Sequence, residues 1–399
     1  MWRNIILTAG SDAQNQVFSR QLNEISIEKF TEKIEIVTDE SSGNRIGSGG
    51  ATIGVIRNSL ENATDEELEN TKTLLVHSGG LSQRMPHLSG YGKVFSLLTN
   101  HKTILETKLN IYKNDLFEKL PHSGGIMITA SDVIENMETE LRVDSDVDVV
   151  IFAHVSSVEV GSQHGVFVMD KKSNKLKRVL QKPSIEEMNR EGAIREDGTV
   201  LTDSCFFMTW KFSKRLLENE LFKEPITEEL CCYGDFMRPM GSDPKLDYIE
   251  NSSSKLAEYR KALAEIFRTA KVEICVLGEK SFFHFGTYHE YIENILPNSD
   301  YLEAFPREFK SNVVFCNGIR NSPESSFVEY SSGAIQIGDY SVVSGIDAGD
   351  LKLKLPSHTL IFTMALKEKK YVTIIVKIDE DIKKNRYGVH QFSKRVKLE

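Results

Sequence analysis

Short apolar runs that each stop near a glycine or an aspartate, with helix-patterned stretches between them, limit this chain to an α/β architecture. The runs are Asn4-Ile-Ile-Leu-Thr-Ala-Gly10, Ile34-Glu-Ile-Val37, Thr73-Leu-Leu-Val-His77, Gly125-Ile-Met-Ile-Thr129 and Val147-Asp-Val-Val-Ile-Phe152. Their length and β-branched content mark them as buried strands. Helical stretches are expected over 14–30 and from Gly47 onward. Such alternation implies a mainly parallel sheet covered on both faces. Ligands of these sheets gather at loops leaving the carboxyl ends of the strands. Further strands are expected at Val166-Phe-Val-Met169 and Cys205-Phe-Phe-Met-Thr209, and helices over 251–269 and 288–296.

The texture changes at Pro297-Asn-Ser-Asp300 and Pro306, which places a domain boundary at about residue 305. The 399 residues exceed what one core usually serves, so a large domain over 1–305 and a smaller one over 306–380 are expected. In the smaller part the runs are short and turn-rich: Val313-Val-Phe-Cys316, Phe327-Val-Glu-Tyr330, Ile335-Gln-Ile-Gly338 and Ser341-Val-Val-Ser-Gly345. Ile337 and Val343 stand six apart, which fits coils of a hexapeptide β-helix or a small β-meander. The tail 381–399 ends Ser393-Lys-Arg-Val-Lys-Leu-Glu399 and is read as solvated and polar.

A net charge of -9 argues against broad nucleic-acid binding, which needs a basic surface. No run nears the ~18 apolar residues of a membrane span, and the N-terminus lacks a signal-peptide pattern. Neither nucleic acid nor membrane is an expected partner, and the expected location is cytoplasmic. Five cysteines, an odd number with Cys231 and Cys232 adjacent, make neither a disulfide framework nor a CxxC zinc pattern.

Anionic ligands would then need a local cationic pocket. The segment His77-Ser-Gly-Gly-Leu-Ser-Gln-Arg-Met-Pro-His-Leu-Ser-Gly-Tyr-Gly-Lys93 offers one. Gly79 and Gly80 follow a strand and let backbone N–H groups approach a phosphate, while Arg84 and Lys93 supply cations. It is neither a Walker A loop nor a G-x-G-x-x-G fingerprint, and a plain turn with surface cations has the same spacing. Asp132, ending a strand, suits Mg²⁺ shared with substrate phosphates, or a helix cap. Lys182, in Gln181-Lys-Pro-Ser184, suits a monophosphate. The segment with Gly49, Gly50, Ala51 and Thr52 opens a helix and could carry a flat base on bare backbone, or make a tight turn. His164 and Gly165, with Thr202 and Asp203, suit sugar hydroxyls or ordinary turns. Asp235, in Tyr233-Gly-Asp-Phe236, adds a second carboxylate. No HExxH or GxSxG pattern supports a metallopeptidase or a serine hydrolase.

From Leu75 to Phe95 the chain resembles the GDP-fucose pyrophosphorylase (fucose-1-phosphate guanylyltransferase) family. The resemblance extends in order through Leu7-Thr-Ala9, Ile46-Gly-Ser-Gly-Gly-Ala-Thr52, Thr129-Ala-Ser-Asp132, His164-Gly-Val-Phe-Val-Met-Asp170, Gln181-Lys-Pro-Ser184, Thr202-Asp-Ser204, Tyr233-Gly-Asp-Phe236 and Phe285-Gly-Thr287, over roughly residues 2–380. It implies an α/β nucleotidyltransferase-type catalytic domain, Rossmann-like and GT-A-like, with a mixed, mainly parallel sheet, followed by a short left-handed β-helix domain. It also implies formation of GDP-L-fucose and pyrophosphate from GTP and L-fucose 1-phosphate, with Mg²⁺. Gly79, Gly80, Arg84 and Lys93 would embrace the triphosphate, Asp132 the metal and Lys182 the sugar phosphate. The base-contacting glycine helix stands before the phosphate loop rather than after it, which implies a permuted strand order. The usual second metal aspartate beside Gly-Thr is replaced in His284-Phe-Gly-Thr287, leaving Asp235 as the candidate. A homo-oligomer built through the β-helix is a further expectation, and no kinase domain for making fucose 1-phosphate is seen. The competing readings are a guanylyltransferase for another sugar, such as mannose or arabinose, and a noncatalytic nucleotide-sugar-binding scaffold.

Overall fold

The computed structural model of the protein describes residues 1–39, 45–80, 82–138, 143, 146–306, 309–366, 370–380 and 382. Leu81 of the glycine turn and the basic stretch 393–399 lie outside the described residues. The chain forms two compact units, Met1–Gly79 with Glu106–Phe282, and the described residues of 80–105 with those of 283–399. The cuts therefore fall at 79, 105 and 282, whereas the sequence suggested a single cut near 305.

The first unit contains strands β1 (Trp2–Ala9), β2 (Thr31–Thr38), β3 (Lys72–His77), β4 (Gly125–Ala130), β5 (Val133–Glu135), β6 (Val149–Ser156), β7 (Gly165–Met169), β8 (Leu176–Gln181), β9 (Val200–Thr209) and β10 (Val272–Val276). Its main sheet runs β10-β6-β9-β4-β3-β1-β2, with β7 joining β9 and β8 joining β7. Along that path only β9 runs against the rest, being antiparallel to both β4 and β6. The order β2-β1-β3 means that the chain leaves β1 to one side and returns on the other, so β1 and β3 flank a topological switch point. This is a mixed α/β fold with a mainly parallel sheet.

Burial explains the elements. In β4 the first five residues, and in β9 all ten, are buried, as strands covered on both faces require. The helix Ser254–Phe267 turns Tyr259, Leu263 and Phe267 to the core, a gain of about 1.5–3 kcal/mol for each fully buried side chain, and Ser253 caps its start. The first helix is shorter than expected, Asp12–Leu22 rather than 14–30. The chain ends it at Asn23 and makes tight turns, while Ile27 and Phe30 remain buried. An apolar spacing that outlives the helix produced the longer expectation. No helix among the described residues is long and apolar enough to cross a membrane.

Strand β11 (Phe282–His284) carries the chain across the cut at 282. The second unit then contains β12 (Val313–Val314), β13 (Phe327–Glu329), β14 (Ser332–Gln336), β15 (Val342–Ser344), β16 (Asp347–Lys354), β17 (Thr359–Ala365) and β18 (Tyr371–Lys377). Strands β12, β13, β15 and β17 pair in parallel, with Val313, Val328, Val343 and Ile361 in register, steps of 15, 15 and 18 residues. Strands β14 and β16 pair in parallel, and β18 closes β17 in antiparallel fashion. Val328, Ile335, Ile337, Val343, Ile346 and Ile361 fill the space between the rungs. Corners recur too: Phe315, Tyr330 and Gly345, 15 apart, all take positive φ.

Candidate active site

The carboxyl edge of the first unit's sheet brings together many of the residues singled out in the sequence. At the switch point the Thr8 hydroxyl accepts the amides of Ser78 (3.0 Å) and Gly79 (3.2 Å), which ties the end of β1 to the loop leaving β3. A Cβ on Gly79 would come to 3.0 Å from Gly10 N, a tight approach that the bare glycine relieves. Gly79 is exposed, but its own amide is committed to Thr8, which corrects the expectation that it donates to a phosphate.

Asp132 lies in the two-residue turn between β4 and β5, half-buried. Both flanks of that turn are fixed by a buried network. The Lys108 ammonium, fully buried, meets the Glu135 carboxylate at 2.8 Å and donates to Thr129 Oγ1 at 2.7 Å. Thr129 (3.1 Å) and Ser204 (2.9 Å) in turn donate to Glu135 Oε1, and Tyr112 donates to Thr129 (3.1 Å). A buried ion pair of this kind is tolerated because neighbouring donors complete the carboxylate's hydrogen bonding.

Around the ends of β7, β8 and β9 a second group converges. The Asp203 carboxylate accepts the Gly165 amide at 3.0 Å, and His164 Nδ1 lies 3.9 Å away. A Cβ on Gly165 would sit 2.5 Å from Asp203 Oδ2, so glycine is needed for the carboxylate to lie there. The amide of Lys182 donates to the His164 carbonyl at 2.9 Å, closing the end of the β7–β8 pair. Lys182 is exposed and takes φ +49 immediately before Pro183. A non-glycine residue with positive φ is strained by about 1–3 kcal/mol and persists where the surroundings impose it. Its ammonium has no ion-pair partner within 4 Å among the described residues, and its field favours the ionised form of Asp203.

Burial wins over that field and pushes the Asp203 carboxyl up to about 7. Because this folded value lies above the unfolded one, stability from Asp203 is present at low pH and is lost as pH rises from about 4 through 7. Asp203→Asn, which keeps an acceptor for Gly165, removes that loss. Its thermal midpoint relative to the unmodified chain is expected to climb between pH 4.5 and pH 8, as checked by melts across that range. A flat difference would show that the carboxyl titrates normally.

Other expectations change. Thr202 is fully buried and shares a 2.7 Å hydrogen bond with Ser156, so its hydroxyl braces the strand and is not offered to a sugar. Asp235 is 2% exposed; its oxygens take Arg260 Nε (2.8 Å) and the Cys231 amide (2.8 Å), which holds it in a buried ion pair apart from Asp132 in the sequence. Gly49, Gly50, Ala51 and Thr52 are buried by the protein's own chain. Gly49 donates to the Leu230 carbonyl (2.8 Å), and Cβ atoms on Gly49 and Gly50 would fall within 2.9 Å of Leu230 and Ile46. These glycines serve close packing, which corrects the bare-backbone platform for a base. The Thr52 hydroxyl, 3.0 Å from His77 Nε2, braces the start of the glycine loop instead.

Two polar atoms went unnoticed in the sequence. Gln181 Oε1 and the Tyr233 hydroxyl are buried without a hydrogen-bond partner among the described residues. Gln181 stands opposite Gly165 in the strand register, and Tyr233 feels the Asp203 charge. Buried polar groups are normally satisfied, so these two atoms have hydrogen-bonding capacity left for a partner beyond the described residues. In the second unit, Gly80 takes φ +125 with open space around its Cα, and Arg84 is exposed without a partner among the described residues. Lys93 donates to the Gly286 carbonyl at 3.0 Å.

Among the described residues no group of three or more His, Cys, Asp and Glu converges as a metal cage. Asp132 contributes one half-buried carboxylate at the turn between β4 and β5.

The chain has relatives across its length. It is 28% identical to a human (Homo sapiens) fucose-1-phosphate guanylyltransferase over 96% of this chain and 73% of that protein. It is 26% identical to the protein of the same name from Mus musculus, over 96% and 75%. A crystal structure of mannose-1-phosphate geranyltransferase from Thermus thermophilus superposes with a TM-score of 0.34 at 11% identity, covering 94% of this chain and 95% of that one, a likeness too slight to argue from. The model of the fucose pyrophosphorylase domain matches residues 65–396. With that match spanning most of its length, the chain belongs to the fucose pyrophosphorylase family.

Proposed function

We propose that the protein is a sugar-1-phosphate guanylyltransferase that forms GDP-L-fucose and pyrophosphate from GTP and L-fucose 1-phosphate. The family and the names of its relatives support the reaction and the base. The observation that carries the site is Lys182: an exposed ammonium without an ion-pair partner among the described residues, on a strained backbone, beside the Asp203–Gly165 contact at the carboxyl edge of the sheet.

In the reaction an oxygen of the sugar phosphate bonds to the α-phosphorus of GTP, and the bond from that phosphorus to the β-phosphate bridge breaks. No protein nucleophile is required, so positioning and charge stabilisation supply the catalysis. Lys182 holds the sugar phosphate and offsets its charge as the nucleophile approaches. His164, Asp203, Gln181 and Tyr233 meet sugar hydroxyls. Gly80, Arg84 and Lys93 clamp the triphosphate, and Asp132 holds Mg²⁺, whose chemistry is to neutralise phosphate charge. The parallel rungs of the second unit are read as a short β-helix.

A panel of sugar 1-phosphates against GTP, ATP and UTP, followed by pyrophosphate release, tests the specificity. Fucose 1-phosphate with GTP is expected to exceed mannose and arabinose phosphates, and the other nucleotides, by at least about tenfold, the cost of leaving one buried polar group unsatisfied. A higher rate with mannose or arabinose 1-phosphate would reassign the sugar.

A further inference from the structure

Resting on this nucleotidyl-transfer reading, we propose that Glu329, on the strand stack of the second unit, is a positioning residue that acts through His87 and Tyr288 to hold the segment carrying Arg84 and Lys93. The described residues of that segment, 80 and 82–105, have little regular structure of their own. They contain two short 3-10 turns, Pro86–Leu88 and Lys93–Phe95, and positive φ at Ser82 and Gly92. Such a chain does not by itself fix two cations.

The anchor is His87. It is buried, stacks on Tyr288 at a centroid distance of 5.2 Å and an angle of 22°, and packs against Phe362 of β17 at 5.6 Å. Its Nδ1 shares a hydrogen bond with the Tyr288 hydroxyl, and its Nε2 faces Glu329 Oε1 at 3.7 Å. The Ser344 hydroxyl donates to that same Glu329 oxygen at 2.7 Å. Burial drives this pair toward its neutral forms, raising Glu329 to about 7 and lowering His87 to about 3. It is thus a packed polar contact more than an ion pair. A strand serving packing alone has no use for a buried carboxyl, which is unfavourable without partners, yet Phe327, Val328 and Glu329 are all buried.

A second tie reaches the same place. Lys93 donates to the carbonyl of Gly286, Thr287 caps the helix Tyr288–Ile295, and Tyr288 bonds His87. The run Gly286-Thr-Tyr288 therefore grips the segment at both His87 and Lys93. This gives Gly286 and Thr287 a task that the reaction itself had not assigned.

The test uses the full-length protein as Tyr288→Phe, Glu329→Ala and Glu329→Gln, read by steady-state kinetics and by amide hydrogen exchange of residues 82–95 without substrate. Loss of the contact is expected to raise KM for GTP about tenfold, the worth of one buried hydrogen bond. KM for the sugar 1-phosphate should not move, and exchange should accelerate more in 82–95 than elsewhere in the chain. Glu329→Gln, which preserves the shape and the Ser344 bond, should restore near wild-type values. If Glu329→Ala does not fold, Tyr288→Phe decides alone. The proposal is overturned if Tyr288→Phe keeps both the wild-type KM for GTP and the wild-type exchange, or if both KM values rise together with a lower midpoint. An unmodified protein that makes no nucleotide sugar would sink the functional reading, while the exchange data would still decide the role of Glu329.

Discussion

Lys182→Ala is expected to lower kcat/KM for the sugar 1-phosphate by about 10²–10³-fold, the typical loss when one preorganised charge-stabilising donor is removed. Stability should change by no more than about 0.5 kcal/mol, as for most exposed positions, because the side chain is exposed and its ammonium makes no ion pair among the described residues. Lys182→Arg keeps the charge but changes its shape, and should fall between the two. Full activity of the alanine variant would remove Lys182 from the reaction. A matching drop in thermal midpoint would recast its strained backbone as a folding feature.

The second large effect concerns the network behind Asp132. Lys108→Met leaves the Glu135 carboxylate buried without its counter-ion, which destabilises by about 3–5 kcal/mol when such a pair is broken. The two groups are 2.8 Å apart with neither side chain exposed, so solvent cannot compensate. Adding Glu135→Gln removes the stranded charge while keeping an acceptor for Thr129 and Ser204, and should recover part of the loss. Denaturant midpoints of the two variants at equal m-values give the comparison. A Lys108→Met variant as stable as the unmodified chain would mean that the pair is not buried in solution.

The strands around the site were legible because they are the most buried. β1, β3 and β4 announce themselves as apolar runs, and the loops after them follow from the logic of parallel sheets. β8 was given no bounds, since Lys177 and Arg178 break its apolar run; Arg178 is in fact sheltered by Glu191 at 2.7 Å. β18 alternates exposed and half-buried residues as an edge strand, giving a weak signal. The rungs of the second unit step by 15, 15 and 18 residues, so a six-residue period shows only once, at Ile337 and Val343.

In the site, Lys182 and Asp203 were named from their motifs, but the positive φ of the one and the raised pKa of the other arise only in three dimensions. Lys108 and Glu135, 27 residues apart, carry no signal of their pairing in the sequence. The opposite error was made with Gly49 and Gly50. Their glycines suggested open backbone, whereas the space is filled by Leu230 and Ile46, and Leu230 is a neighbour that sequence order cannot supply.

The proposed reaction joins a guanylyl group to fucose 1-phosphate. The most direct measurement is to incubate the purified protein with GTP, L-fucose 1-phosphate and Mg²⁺ and to identify the products by mass. GDP-L-fucose and pyrophosphate are expected in equal amounts, at rates that collapse in Lys182→Ala. Tight binding of GDP-L-fucose with no product from either direction of the reaction would contradict it, and would make the protein a nucleotide-sugar-binding scaffold.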